Sequence, residues 1–361
     1  MRFFTTTQLF TFCLSLAHSA WASSSDDLEV QVGKHVVFSY PGLQPSDHLL
    51  DLIKQGKVGG IILFGENVGD NLSTVITGFQ EAYKQSVAYS GAPLLIMTDQ
   101  EGGEVRRLPG GPVKSAKEVG QSENPRTTAI QSGNDAASAL QSYQVNCNLA
   151  PVLGVYRETG DFLDNYGRSY GNTSTLVGMC SSAFIQSQQD AGVIATVKHF
   201  PGLGAAGKNE NTDEEPVTIN LTLDEIRSVD EAPYKEAITA GVDMVMSSWA
   251  LYPALDSKYP SGLSQSWVQD ELRGRLGFKG VTITDAIEAG ALEAFGDDAA
   301  RAVLAGQAGM DIILASARNV SQGEAIVGGM VAALQDGSLS LNDFSESTER
   351  IMTLRKKSIS S

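Results

Sequence analysis

Eight short apolar runs, each followed by a stretch with helical periodicity, constrain the fold of this 361-residue chain more than any other feature. The runs are HVVFSY (35–40), GGIILF (59–64), PLLIMTD (93–99), CNLAPV (147–152), VIATVKHF (193–200), VDMVMSS (242–248), GVTITD (280–285) and MDIILAS (310–316). Amphipathic stretches such as SDHLLDLIKQG and DDAARAVLAGQAG lie between them. Continuous apolar strands that alternate with helices are typical of a parallel sheet covered by helices.

The junctions between these segments also indicate helices that lead into buried strands. Three helical stretches finish in Gly just before a strand, in DAGVIATV, TAGVDMVM and QAGMDIIL, which is the usual way to end a helix. Eight such units predict an α/β fold, specifically a closed (β/α)₈ TIM-type barrel, with a doubly wound open sheet as the alternative. Since no linker or low-complexity stretch divides the chain, we expect one domain over residues 23–361, with a C-terminal helical tail.

The first 22 residues, MRFFTTTQLFTFCLSLAHSAWA, have the layout of a secretory signal peptide. They combine a basic start, an apolar middle too short to span a bilayer, and an AxA cleavage pattern at Ala20 and Ala22. A buried first helix or an uncleaved anchor is the alternative. The sequence therefore predicts removal of residues 1–22 and a secreted, extracellular mature protein.

The charge of the chain narrows the choice of partners. The net charge is −16, and it becomes −17 without residues 1–22 because Arg2 is their only charged side chain. A strongly acidic protein disfavours nucleic acid and anionic membrane as partners. Sequons at Asn71, Asn172, Asn220 and Asn319 are candidate sites for N-linked glycans on a secreted eukaryotic chain, with chance matches as the alternative.

Cysteine usage excludes a disulfide-built scaffold. Cys13 leaves with the signal peptide, so the mature chain keeps only Cys147 and Cys180, which lack any metal-ligand spacing. One bridge and two buried thiols are both open at this point. The sequence implies no metal and no redox cofactor, and it carries no signal for the oligomeric state.

Polar residues collect where the predicted strands end. TDQEGGEVRRL follows the third run, NYGRSYG follows the fourth, KHFPGLG ends the fifth and TDAIEAG ends the seventh. Reactive groups of a barrel belong at the carboxyl ends of its strands, so these segments predict the site. Asp285, at the end of GVTIT, is a candidate nucleophile, and a helix N-cap is the alternative role.

The other candidates are residues that could bind a polar substrate. Lys198 and His199 are adjacent on a strand, so both reach one pocket only if the strand ends there in an irregular turn; a satisfied core histidine is the alternative for His199. Asp99, with Glu101 and Arg106, offers a carboxylate and fork donors for vicinal hydroxyls. Arg107 and Arg168 offer the same donors. Structural salt bridges would explain these residues equally well.

Taken together, these segments resemble glycoside hydrolase family 3. TDQEGGEVRRL, GRSYG, VKHFPGLG, LYPALD and TITDAIEAGAL look like the signature segments of its compact single-barrel β-N-acetylhexosaminidases, in matching order over about residues 30–350. The resemblance implies that Asp285 is the catalytic nucleophile. It also implies that the sugar subsite is lined by Asp99, Arg107, Arg168, Lys198 and His199.

The chain departs from that family after the fifth strand. The hexosaminidases usually read KHFPGHG followed by a DSH segment, whose His and Asp form an acid/base dyad. Here Leu203 occupies the first histidine position and NTDEEP replaces the second segment. The carboxylates available on the loop are Glu210, Asp213, Glu214 and Glu215. Asp213 resembles the aspartate of that dyad, so we predict that it is the proton donor, acting directly or through water, with a turn-forming Asx motif as its alternative role.

The sequence therefore predicts a secreted retaining exo-glycosidase that acts on a carbohydrate, terminal β-linked N-acetylglucosamine. One alternative is a β-glucosidase or β-xylosidase of the same fold. The other is a non-catalytic sugar-binding protein that has lost its acid/base residue. Retention of Asp285 together with Lys198 and His199 argues against the second alternative, because simple binding needs no nucleophile.

Overall fold

The computed structural model describes residues 25–357 and shows a closed barrel. In chain order the strands are β1 (Val36–Phe38), β2 (Gly60–Ile62), β3 (Leu95–Thr98), β4 (Gln100–Gly102), β5 (Val105–Arg106), β6 (Cys147–Asn148), β7 (Ile194–Phe200), β8 (Met244–Ser247), β9 (Val281–Ala286) and β10 (Ile312–Leu314). β4 and β5 form a small antiparallel hairpin, and the other eight strands form the barrel. The predicted signal peptide, residues 1–22, lies outside the described residues.

The barrel prediction is confirmed. Each barrel strand pairs in parallel with its neighbours, and β1 pairs with both β2 and β10, which closes the sheet. The open-sheet alternative is therefore wrong. All eight barrel strands fall within the predicted apolar runs, except that β9 extends one residue further, to Ala286.

Helices surround the barrel and connect its strands. They are α1 (Ser25–Gly33), α2 (Asp47–Lys54), α3 (Leu72–Lys84), α4 (Ala116–Gly120), α5 (Pro125–Ser142), α6 (Phe162–Asn165), α7 (Ser174–Asp190), α8 (Leu223–Glu225), α9 (Ala232–Thr239), α10 (Asp298–Ala308), α11 (Val320–Asp336) and α12 (Leu341–Lys357), with wider π-type turns over Ile226–Asp230 and Ser266–Arg275. The predicted helix-ending glycines Gly192, Gly241 and Gly309 have φ of 84°, 81° and 101°, a region that suits glycine. Within residues 25–357, no helix combines the length and apolar character needed to cross a membrane.

The last helix closes the amino-terminal end of the barrel. Its side chains Ile351 and Leu354 are buried among the residues that fill the barrel interior, which include Ile62, Leu95, Met97, Leu149, Met244, Ile283 and Leu314. Arg350 of the same helix donates to the buried Asp311, just before β10, at 2.8 Å. The predicted C-terminal tail is therefore part of the core.

Both cysteines of the described chain are buried free thiols. Cys147 lies on β6 inside the barrel and Cys180 lies on α7 outside it. The disulfide alternative is therefore wrong, and the pair contributes to the core as small apolar residues.

Candidate active site

A pocket of about 380 Å³ opens at the carboxyl ends of the strands, and all seven residues proposed from the sequence line it. They are Asp99, Arg107, Arg168, Lys198, His199, Asp213 and Asp285. They come from β7, β9, and the segments that follow β3, β5, β6 and β7. This is the end of a (β/α)₈ barrel at which loops of different strands converge.

Asp285 lies near the end of β9, with its side chain 19% exposed. Its Oδ1 accepts a hydrogen bond from the Ala286 amide at 2.8 Å. The N-cap alternative is wrong, because the next helical turn begins after Ala289 and α10 is capped by Asp297. Burial and the negative charge of Asp213 raise the pKa of Asp285 to about 7, so it interacts electrostatically with a second carboxyl group.

Lys198 and His199 both line the pocket although they are adjacent on one strand. The turn predicted at Pro201 does not cause this, because β7 continues through Phe200. Instead, the pairing register with β8 shifts between Val197 and Phe200, the stretch that holds both residues. An irregular strand interior therefore presents two consecutive side chains to one pocket.

His199 is a neutral imidazole in this setting. Burial, together with the positive charges of Arg168 and Lys198, lowers its pKa well below the ordinary value. Its Nε2 lies 3.8 Å from Asp285 Oδ2, too far for a hydrogen bond. Its buried Nδ1 has no hydrogen-bond partner among residues 25–357, which does not match a satisfied core histidine.

Glu101 connects the cations of the pocket, a role that the sequence analysis did not assign. Its carboxylate accepts from Arg168 Nε and Nη2 at 3.0 and 2.9 Å and lies 2.8 Å from Lys198 Nζ. Lys198 Nζ also donates to Asp99 Oδ1 at 2.6 Å. Burial alone would raise the pKa of Glu101, but these cations outweigh it and lower the pKa to about 2. The sequence could have indicated this role, because Glu101 lies two residues after Asp99 and alternate residues of an extended chain share a face.

The two neighbouring arginines of the hairpin differ in their contacts. Arg106 Nη1 donates to the Gly110 carbonyl at 2.6 Å, away from the pocket lining. Arg107 lines the pocket, has no ion pair within the described part of the chain, and has a buried Nε without a hydrogen-bond partner. A guanidinium left in this state can bind a hydrogen-bond acceptor of a ligand.

On the loop after β7, one of the four candidate carboxylates reaches the pocket. Glu210 turns back and accepts from the Gly207 amide at 2.6 Å, while Glu214 accepts from the Asn211 side chain at 3.0 Å. Only Asp213 of the four lines the pocket. The loop conformation thus brings to the pocket the carboxylate that the sequence analysis favoured and leaves the other three outside its lining.

Asp213 is an exposed residue whose carboxylate lines the pocket and receives no hydrogen bond from any described residue. The Asx turn is formed by Asn211, whose Oδ1 accepts from the Asp213 amide at 3.1 Å, so the turn-forming alternative for Asp213 is wrong. The Asp213 carbonyl accepts from the Gly290 amide at 2.8 Å, which joins the loop to the segment after β9. Desolvation by the surrounding protein raises the pKa of Asp213, against the positive charge of Arg168.

The wall formed by the segments after β2 and β10 was not predicted. Arg318 stacks over the Phe64 ring at 4.2 Å and pairs with Glu66 at 3.1 Å, and both Arg318 and Phe64 line the pocket. Arg318 lies two residues after the eighth apolar run. Its position beyond the end of a predicted strand could therefore have identified it as a pocket residue.

Comparison with known proteins identifies the family. The family model described as "Glycosyl hydrolase family 3 N terminal domain" matches residues 27–354. A protein of Arthroderma benhamiae, named an uncharacterized secreted glycosyl hydrolase, is 56% identical over 96% of this chain and 99% of its own length. A protein of Tolumonas auensis named Beta-hexosaminidase is 32% identical over 73% of this chain and 77% of its own length.

Solved structures agree with these relatives. A β-N-acetylhexosaminidase from Beutenbergia cavernae superposes with a TM-score of 0.81 at 30% identity, covering 91% of this chain and 98% of that one. A family 3 β-N-acetylglucosaminidase from a Paenibacillus species gives a TM-score of 0.84 at 33% identity over 92% of this chain, which spans 62% of that protein. This chain therefore belongs to glycoside hydrolase family 3 and is a glycoside hydrolase.

Proposed function

We propose that this chain is a secreted, retaining exo-glycosidase that releases terminal β-linked N-acetylglucosamine. The names of the hexosaminidase relatives support the sugar, and the leader pattern together with the secreted fungal relative supports export. The pocket lies at one end of a barrel whose other end is filled by α12, a shape that suits a chain end.

In the proposed mechanism Asp285 is the nucleophile and Asp213 is the general acid and base. An Asp285 carboxylate oxygen attacks the anomeric carbon while the Asp213 proton passes to the glycosidic oxygen, so the carbon–oxygen bond breaks and a covalent glycosyl-enzyme forms. Asp213, now ionised, then accepts a proton from water. That water attacks the anomeric carbon, the bond to Asp285 breaks, and the sugar leaves with its original anomeric configuration.

The observation that carries this proposal is the selection of Asp213. It is the single loop carboxylate that shares the pocket with Asp285, and the two groups interact electrostatically. Because each negative charge disfavours the other, the two carboxyl groups titrate as a unit. The proposed mechanism uses the one-proton state of this pair in which Asp285 is ionised and Asp213 carries the proton.

The remaining pocket residues are proposed to hold the sugar. Arg107 has donors free for hydroxyl or amide oxygens, and neutral His199 can donate or accept. Lys198 and Asp99 are already joined to one another, which fixes their positions before a ligand enters. Arg168 reaches the pocket with its fork bound to Glu101, so its main proposed role is to orient that carboxylate and Lys198.

Leaving groups of different quality test the proposal. A nitrophenolate departs readily without protonation, whereas the alkoxide expelled from chitobiose needs a general acid, typically worth about 10² to 10⁴ in rate. Asp213→Ala should therefore slow chitobiose hydrolysis by about that factor and nitrophenyl N-acetylglucosaminide hydrolysis far less. Comparison of kcat/KM for the two substrates measures the difference.

The same loop supplies the controls. Glu210→Gln, Glu214→Gln and Glu215→Gln alter the local charge without removing the proposed donor, so both substrates should turn over at close to the wild-type rate. Azide should partly restore Asp213→Ala on the nitrophenyl substrate, since a small anion can attack the glycosyl-enzyme without a base. Equal losses on both substrates, or no loss, would assign the proton donor elsewhere.

A further inference from the structure

The four sequon asparagines of this chain lie on one face of the barrel. Asn71 and Asn319 directly precede α3 and α11, and Asn172 and Asn220 lie just before α7 and α8. All four residues are exposed. Each of these helices follows a barrel strand, so each asparagine belongs to the face onto which the pocket opens. None of the four lies on the opposite face, which α12 covers.

The side-chain amides are chemically free at these positions. No Nδ2 atom of the four asparagines donates a hydrogen bond to a described residue. Asn319 uses only its Oδ1, which accepts from the Ser321 amide at 3.1 Å and from the Ser321 hydroxyl at 2.9 Å. A glycan on Nδ2 replaces one hydrogen and leaves Oδ1 as an acceptor, so modification keeps the helix cap intact.

We propose that this chain carries N-linked glycans at Asn71, Asn172, Asn220 and Asn319, so that sugar chains surround the mouth of the pocket. The Asn319 glycan is nearest in sequence, since the preceding residue, Arg318, lines the pocket. The donor is a polyprenyl-diphosphate-linked oligosaccharide of a secretory pathway. The amide nitrogen bonds to C1 of the oligosaccharide, the bond from C1 to the diphosphate oxygen breaks, and the nitrogen loses a proton as the lipid diphosphate leaves.

This inference rests on the proposed secretion and is independent of the catalytic roles. The test uses the full chain with its own leader, produced in a eukaryotic secretory host and recovered from the medium. Intact mass should exceed that of the polypeptide. After digestion with an amide-cleaving glycosidase, which converts each modified asparagine to aspartate, it should fall to that of the polypeptide with aspartate at every released site. Peptide mapping should find that aspartate at all four positions.

Single variants assign each glycan to its site. Asn71→Gln, Asn172→Gln, Asn220→Gln and Asn319→Gln should each remove one glycan mass. Ser321→Ala is a second variant for Asn319, because it destroys the sequon while the Ser321 amide position can still donate to the Asn319 cap. Asn124→Gln is the matched control, since Asn124 is exposed but precedes Pro125 outside any sequon, and it should change no glycan mass.

The possible failures are distinguishable. A chain that stays inside the cell contradicts the secretion on which the inference rests. A chain recovered from the medium with four unmodified sequon peptides overturns the glycan proposal alone. A single unmodified peptide overturns the assignment of that asparagine.

Discussion

Asp285 and Asp213 reach the pocket from different elements, so their interaction depends on the tertiary structure. Burial raises the pKa of Asp285 to about 7, and the charge of Asp213 contributes to this rise. An ionised nucleophile is required for attack, so a raised pKa should depress activity on the acidic side of neutrality. The position of the acidic limb of the pH profile therefore depends on the charge of Asp213.

Asp213→Asn should move that limb to lower pH. The substitution removes a negative charge that disfavours ionisation of Asp285, so the pKa of Asp285 falls and the nucleophile stays ionised at lower pH. The measurement is kcat/KM against pH with the nitrophenyl substrate, which does not depend on the acid. Glu210→Gln, whose carboxylate is turned away from the pocket, should leave the limb in place. An unmoved limb in Asp213→Asn would contradict the interaction between the two groups.

Glu101 is a second residue whose charge matters, because it neutralises the buried Lys198 and the half-buried Arg168. Glu101→Gln should destabilise the protein by about 3 to 5 kcal/mol, since Lys198 and Arg168 lose a buried counter-charge. It should also raise KM, because Lys198 is no longer held from both sides. Urea denaturation and steady-state kinetics measure the two effects. The exposed neighbour gives the control Glu104→Gln, and equal stability of the two variants would contradict the role of Glu101.

Among the elements, the loop over residues 203–216 depends on a contact distant in sequence. The Gly290 amide donates to the Asp213 carbonyl, and the Ala291 amide donates to the Thr212 carbonyl at 3.2 Å. A Cβ at position 290 would collide with the Glu214 carbonyl. The absence of a side chain at Gly290 therefore allows the loop to approach the segment after β9.

Gly290→Ala should push this loop away from the pocket. We expect a loss in kcat/KM for chitobiose of at least about tenfold, because a displacement of the proton donor by about 1 Å can cost about 10² in rate. The fold should remain intact, as circular dichroism can verify. Gly78→Ala on α3 is the control, since a Cβ there meets nothing within 4 Å. Unchanged kinetics of Gly290→Ala would show that the position of this loop does not affect catalysis.

The elements also show what could be predicted from the sequence. The barrel could be predicted because each of its eight strands falls on an apolar run, and the pocket residues because they lie at or after the ends of these strands. Asp213 could be proposed only through its resemblance to the aspartate of the family's dyad, because the loop position that brings it to the pocket depends on hydrogen bonds with a segment far along the chain. The same holds for Lys198 and His199, whose common direction comes from the pairing register of β7 with β8.

For the whole molecule, α12 joins the chain terminus to the barrel interior. Ile351 is fully buried there, and Arg350 and Arg273 both bind Asp311 beneath the barrel. The sequence predicts only a C-terminal tail here, because the apolar residues of this helix are few. Their packing partners lie on strands throughout the chain. Its packing is a property of the complete barrel.

Ile351→Ala should lower the free energy of unfolding by about 2 to 5 kcal/mol through loss of buried surface and the cavity left behind. Because the site lies at the opposite end of the barrel, kcat/KM at a temperature well below the unfolding transition should stay unchanged. Urea denaturation beside kinetics measures both quantities. Thr353→Ala, exposed on the same helix, should change neither, and an Ile351→Ala variant as stable as Thr353→Ala would contradict the role of α12 in the core.

The filled end of the barrel also governs the movement of sugars through the proposed active site. A polymer cannot thread through a barrel whose interior is packed with side chains, so under the proposed exo-cleavage each released monosaccharide must leave through the opening by which the substrate entered. The shortened chain has to withdraw before that exit is clear. Each cleavage then requires a new binding event, and accumulated product competes with new chain ends for the same pocket opening.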